Sequence, residues 1–139
     1  MDDDTDLMER VFTVEEANEA LAEVRPLAEQ MVEGRRALAR TTERLEALQI
    51  KVTGNGGDLS PRDIQELYDQ AGHEALEVAG CVEAITELGA QVKDLDQGLV
   101  DFPARFGDED VLLCWHVGED EIRYWHGSDE GFASRRPLS

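Results

Sequence analysis

Lysine is nearly missing from this chain. Only Lys51 and Lys93 are lysines, and the 13 lysines and arginines together face 32 carboxylates, so the formal charge over 139 residues is −19. A surface that negative repels phosphate backbones, which excludes direct nucleic-acid binding. Long apolar runs are missing too. Hydrophobic residues make up 41% of the chain, enough for a core. No run approaches the roughly 18 residues of a transmembrane span, so no membrane partner is expected. The opening "MDDDTD" lacks the positive charge of a secretory leader, which points to the cytoplasm. Cysteine is scarce: Cys81 and Cys114 have no CxxC spacing and read as buried free thiols. Phosphate-cradling glycine motifs, H-E-x-x-H and G-x-S-x-G are all absent.

What is present is helical periodicity. Residues 1–10 read as a disordered acidic tail, and residues 11–139 as one domain. In "FTVEEANEAL", Thr13 and Glu16 stand in capping-box relation at a helix start. Pro26 is expected to kink or restart that helix. Val24, Leu27, Met31, Gly34, Leu38, Thr41, Leu45 and Leu48 then recur every three or four residues, one stripe along a long helix. "KVTGNGGDLSP" breaks the pattern, with Ser60 a good N-cap and Pro61 suited to the first helical position. A second stripe follows through Ile64, Leu67, Ala71, Val78, Cys81, Ile85 and Leu88, with Glu74 the exception, and Gly89 is a natural stop. Two matching stripes joined by a glycine-rich loop predict an antiparallel, coiled-coil-like helical hairpin over 13–89.

After Leu88 the period becomes two. "LVDFPA", "VLLCWHV" and "IRYWH" are separated by short turn-like segments, which predicts a three-stranded antiparallel β-meander over 99–126, followed by a C-terminal loop over 127–139. The fold class is α+β. With each turn centred, Val100, Phe102, Leu113, Trp115, Val117, Ile122, Tyr124 and His126 share the face that covers the helices. Asp101, Cys114, His116, Arg123 and Trp125 share the other.

The strings "GCVEAITELGAQVKDLDQGLVDFPA", "LCWHVGEDEIRYWH" and "GFASRRPL", with "FTVEEANEALAEVRPL" near the start, resemble a family of small prokaryotic proteins known as domain-of-unknown-function family 2203. The resemblance runs from about Val11 to Leu138. It implies a shared fold and no particular activity.

Several constellations carry candidate chemistry. His126 and Asp129, with Asp94, Asp96 and Asp101, offer imidazole and carboxylate ligands suited to a divalent transition metal such as zinc, manganese or iron. The bland alternative is a hydrogen-bonded histidine at the sheet rim. Cys114, His116 and Arg123 form a possible polar cluster beside Asp101. Thiol catalysis there is disfavoured because i and i+2 side chains on one strand sit about 7 Å apart. Arg135 and Arg136 suit an anion or balance nearby acidic turns. Trp125 is an interface candidate, unless the C-terminal segment folds back over it with Phe132 as a plug. An uncovered helix flank, with small residues at Gly72, Ala75, Ala79 and Gly80, predicts a homodimer. Two functional readings follow. One is a non-enzymatic module that self-associates or binds a partner. The other is a small metal-binding protein or metalloenzyme with its site at the end of the last strand. Neither names a substrate or small-molecule ligand.

Overall fold

The computed structural model of the chain describes residues 10–55 and 61–138. Two long helices come first, α1 (Val14–Asn55) and α2 (Pro61–Glu87), then strands β1 (Gln91–Asp94), β2 (Leu99–Phe106), β3 (Glu109–His116), β4 (Tyr124–Gly127) and β5 (Arg136–Pro137), with a 3-10 turn at Phe132–Ser134. Residues 1–9 of the expected tail and the Ser60 cap fall outside the described residues.

The start of α1 follows its sequence. The Thr13 N–H donates to Glu16 Oε1 at 2.9 Å, and the Glu16 N–H donates to Thr13 Oγ1 at 3.0 Å, so two otherwise orphaned donors are satisfied. Arg10 is held as well, with its guanidinium donating to the Leu88 carbonyl at 3.0 Å. At Pro26 the helix neither stops nor restarts; α1 runs unbroken for 42 residues, about 63 Å. Pro26 and Ala22 both lie on the exposed side. The hydrogen bond that proline removes therefore falls where water can take the Ala22 carbonyl.

The helices pack as a hairpin. From the two stripes, Val24, Met31, Thr41 and Leu45 of α1 and Val78, Cys81 and Ile85 of α2 are buried. Gly34 lies where a Cβ would come within 3.1 Å of Val78 Cγ2, so the glycine lets the backbones approach. Glu74, out of place in an apolar stripe, belongs to a polar layer. Gln70 Nε2 donates to Glu74 Oε2 at 3.2 Å and to the buried Thr41 hydroxyl at 3.3 Å.

The sheet has five antiparallel strands in sequence order, not three. The two additions are short edge strands. β1 is four residues with a register shift between Val92 and Asp94, and β5 is two residues. Runs that short show too little alternation to be read as strands. The β2–β3 register is the expected one, pairing Val100 with Trp115, Asp101 with Cys114 and Phe102 with Leu113. On the inner face Val100, Phe102, Ala104, Val111, Leu113 and Trp115 are buried. They join Phe12, Leu21, Val24, Ala28 and Met31 from the start of the chain and α1, and Val78, Cys81 and Ile85 from α2. The sheet thus covers the base of the hairpin.

The last strand departs from expectation by one residue. β3 pairs β4 through Leu112↔His126, Leu113↔Trp125 and Cys114↔Tyr124. Tyr124 and His126 therefore lie on the outer face, and Trp125 points inward, half-buried against the core. A tight turn over "GEDE" would have given the opposite result. Instead the stretch from Val117 to Arg123 is a longer excursion tied to α1. Arg25 donates to the Glu119 and Asp120 carbonyls at 3.0 and 2.5 Å, and Asn18 Oδ1 accepts the Ile122 N–H at 2.9 Å. Ile122 is drawn into the core. The strand that leaves this anchored loop is shifted by one residue, which exchanges its two faces. No helix among the described residues is long and apolar enough to cross a membrane.

Candidate metal centre

The register of β4 brings three side chains together on the outer face of the sheet. Asp101 of β2, Cys114 of β3 and His126 of β4 each offer one ligand atom, and these atoms lie within 4.8 Å of one another. All three residues are 1–2% exposed. Asp101 and Cys114 are direct cross-strand partners, and His126 stands one step along, opposite Leu112.

His126 is oriented by its own turn. Its Nδ1 lies 2.8 Å from the Gly127 carbonyl, which can only accept, so Nδ1 carries a proton and donates. Nε2 then faces Asp101 Oδ2 at 3.1 Å. A single shared proton makes that contact a hydrogen bond, whichever partner holds it. The Cys114 thiol also bonds to Asp101. Burial raises the Asp101 pKa above its ordinary value, opposed by His126, the Cys114 hydrogen bond and Lys93. Burial, followed by the Asp101 charge, pushes the Cys114 thiol up to about 12. A thiol so held ionises less readily than a free one, which disfavours thiol catalysis.

The site opens into a cavity of about 130 Å³ lined by Lys93, Leu99, Leu112, Ser128, Glu130, Gly131 and Phe132 together with the three polar groups. Phe132, in the 3-10 turn, lies over this face, edge-on to His116 with ring centroids 5.8 Å apart. The fold-back that brings it there is clasped by Arg135. Its Nη2 lies 2.8 and 2.7 Å from the Glu119 carboxylate oxygens, and its guanidinium sits 4.0 Å from the Tyr124 ring centroid and 4.6 Å from that of Phe132.

The other sequence candidates have other partners. Asp94 Oδ1 accepts the Asp96 and Gln97 N–H groups at 2.8 and 2.9 Å, building the β1–β2 turn. Asp96 receives Arg35 Nε of α1 at 3.2 Å. Asp129 is exposed in the turn after β4. None of these three carboxylates joins the cluster. His116 Nδ1 donates to the Val117 carbonyl at 2.8 Å, with Nε2 3.7 Å from Glu119. Arg123 pairs with Asp120 and Glu121 at 3.3 and 3.1 Å, so His116, Arg123 and Cys114 do not form one polar cluster. Arg136 pairs with Glu130 at 3.0 Å and lies 4.7 Å from the Trp125 ring centroid. Trp125 therefore sits between the core, Arg136 and Phe106, whose ring is 5.2 Å away, rather than on a bare face.

Asp101 and His126 share the metal set read from the sequence, and Asp101 stands beside Cys114 on the outer face, but the sequence leaves Cys114 out of the metal set and puts His126 on the inner face. Lys93 and Phe132 gain their place at the site only through β1 and the C-terminal fold-back. No curated protein and no solved structure matches the chain. A family model described as an uncharacterized conserved protein, DUF2203, matches residues 10–138. That match spans the sheet, the hairpin and all three clustered residues, and the chain belongs to the DUF2203 family.

Proposed function

We propose that the chain is a small metal-binding protein that holds one zinc-class cation between Asp101, Cys114 and His126. The observation that carries this reading is the convergence of three different buried ligand atoms within 4.8 Å, on three neighbouring strands. Bonds of 2.0–2.3 Å to a tetrahedral zinc put ligand atoms roughly 3.3–3.8 Å apart, so side-chain adjustments of about 1 Å suffice. The Nδ1–H bond from His126 to the Gly127 carbonyl is the outer-shell contact that leaves Nε2 free as a ligand. A carboxylate and a thiolate neutralise a divalent ion, so the filled site buries no net charge. Thiolate with imidazole favours zinc over manganese. Three protein ligands leave a fourth position toward the cavity, the arrangement of reactive rather than purely structural zinc sites.

Zinc titrated into metal-free protein is expected to bind at about one ion per chain, with a dissociation constant below about 1 μM. Cys114→Ser and His126→Ala should each weaken binding by more than about 100-fold. His73→Ala, on the exposed surface of α2, should change nothing. No saturable binding of zinc, manganese or iron(II) tighter than about 10 μM would overturn the reading.

A second reading concerns assembly, and an exposed flank of α2 favours it. Leu76 is 74% exposed and Tyr68 47%. Gly72, Ala75 and Ala79 lie on the same flank at helical spacing. Pairing two hairpins through this flank into a four-helix arrangement covers it, which supports a homodimer.

A further inference from the structure

The cavity beside the three clustered residues has a floor, walls and a charged rim. Its floor is Asp101, Cys114 and His126; its apolar walls include Leu99, Leu112 and Phe132; Lys93 stands at its edge. Lys93 is one of two lysines in a chain with a net charge of −19. Among the described residues no side-chain hydrogen bond or ion pair holds it, and its charge acts on Asp101 from across the cavity. The acid at the rim, Glu130, is already engaged: Oε1 accepts the Gly127 N–H at 2.7 Å and Oε2 pairs with Arg136 at 3.0 Å. With a divalent ion neutralised by Asp101 and Cys114, the charge left over at the cavity is the positive one on Lys93.

We infer that this cavity is a binding pocket for a small organic carboxylate. This rests on the metal reading above. One carboxylate oxygen takes the open coordination position, the other faces the Lys93 ammonium, and the aliphatic part lies against Leu99, Leu112 and Phe132. The volume sets the size. About 130 Å³, open to solvent at the Lys93 side, suits a short-chain acid such as acetate, propionate or butyrate.

The test uses the full chain loaded with cobalt(II), whose visible spectrum reports on its coordination. Sodium acetate, propionate, butyrate and hexanoate are titrated at constant ionic strength against sodium chloride. Saturable spectral changes are expected. Affinity should rise about 3- to 4-fold per added methylene up to butyrate and gain less per methylene at hexanoate, whose chain end reaches solvent. Lys93→Met should weaken butyrate binding about 10-fold without weakening cobalt binding, because removing a neighbouring positive charge does not disfavour a cation. Phe132→Ala should flatten the dependence on chain length. A cobalt spectrum that none of the four acids alters at about 50 mM overturns the carboxylate pocket and leaves the metal site standing. A protein that gives no thiolate-to-cobalt charge-transfer band fails at the earlier step and removes the metal reading itself.

Discussion

Asp101 concentrates the energetic tension of the molecule. It is a carboxylate 2% exposed, bonded to His126 and Cys114, and held above its ordinary pKa by burial. A folded-state pKa raised above the unfolded one means the folded protein binds that proton more tightly. The corresponding stability is fully present below the ordinary carboxylate value and is lost as pH rises through the raised one. Asp101→Asn removes the ionisation but keeps a partner for His126, because an amide N–H can donate to Nε2 while Nδ1 still donates to Gly127. Metal-free Asp101→Asn should therefore show a flatter dependence of melting temperature on pH than the parent chain. It should melt higher at pH 8 by about 3 °C and lose tight zinc binding. Parallel melting curves for parent and variant would contradict a raised Asp101 pKa.

At the scale of elements, the hairpin stands on its seam. Leu45 is 8% exposed on the buried side of α1, and its neighbour Arg44 is exposed. Leu45→Asp places an unpaired carboxylate between the helices and should destabilise the fold by roughly 3 kcal/mol. Arg44→Asp keeps its charge in water and should change stability by no more than about 0.5 kcal/mol. Chemical denaturation of the two variants separates these outcomes, and equal losses would mean the stripe does not face α2. The sheet is held differently. Its β3–β4 connection depends on Arg25 and Asn18 of α1, so the position of β4, and of His126 with it, is set by a helix far away in sequence.

Charge and assembly are properties of the whole molecule. Most of the ion pairs, such as Arg35–Asp96 and Arg105–Asp110, join exposed side chains and add little each. They leave the net charge of −19 to repel itself. Salt screens that repulsion, so the melting temperature should rise between roughly 0.05 and 1 M NaCl; a flat or falling curve would contradict it. The core cluster contains no buried residue between Val32 and Val78 among the described residues. The outer half of the hairpin therefore has the two helices and little else, and the Tyr68–Leu76 flank is open. Sedimentation equilibrium should give about twice the chain mass of 15.5 kDa, and Leu76→Glu should restore the monomer. A parent chain that stays monomeric at about 100 μM ends the dimer reading.

The sequence alone determined what depends on neighbours along the chain. The capping box at Thr13 and Glu16, the two stripes and the helix stop before Gly89 are local, because each rests on residues a few positions apart. The β2–β3 pairing is local as well: a short turn and strict alternation put Asp101 beside Cys114. Tertiary structure decided the rest. β1 and β5 are too short to announce themselves and exist because neighbouring strands offer them hydrogen bonds. The face of His126 hangs on a single residue of register, and that register is set where Arg25 takes the carbonyls of Glu119 and Asp120. A period of two makes any one-residue error complete, moving every side chain of a strand to the opposite face. For that reason the sequence shows the cysteine, the histidine and the acids without showing which three meet.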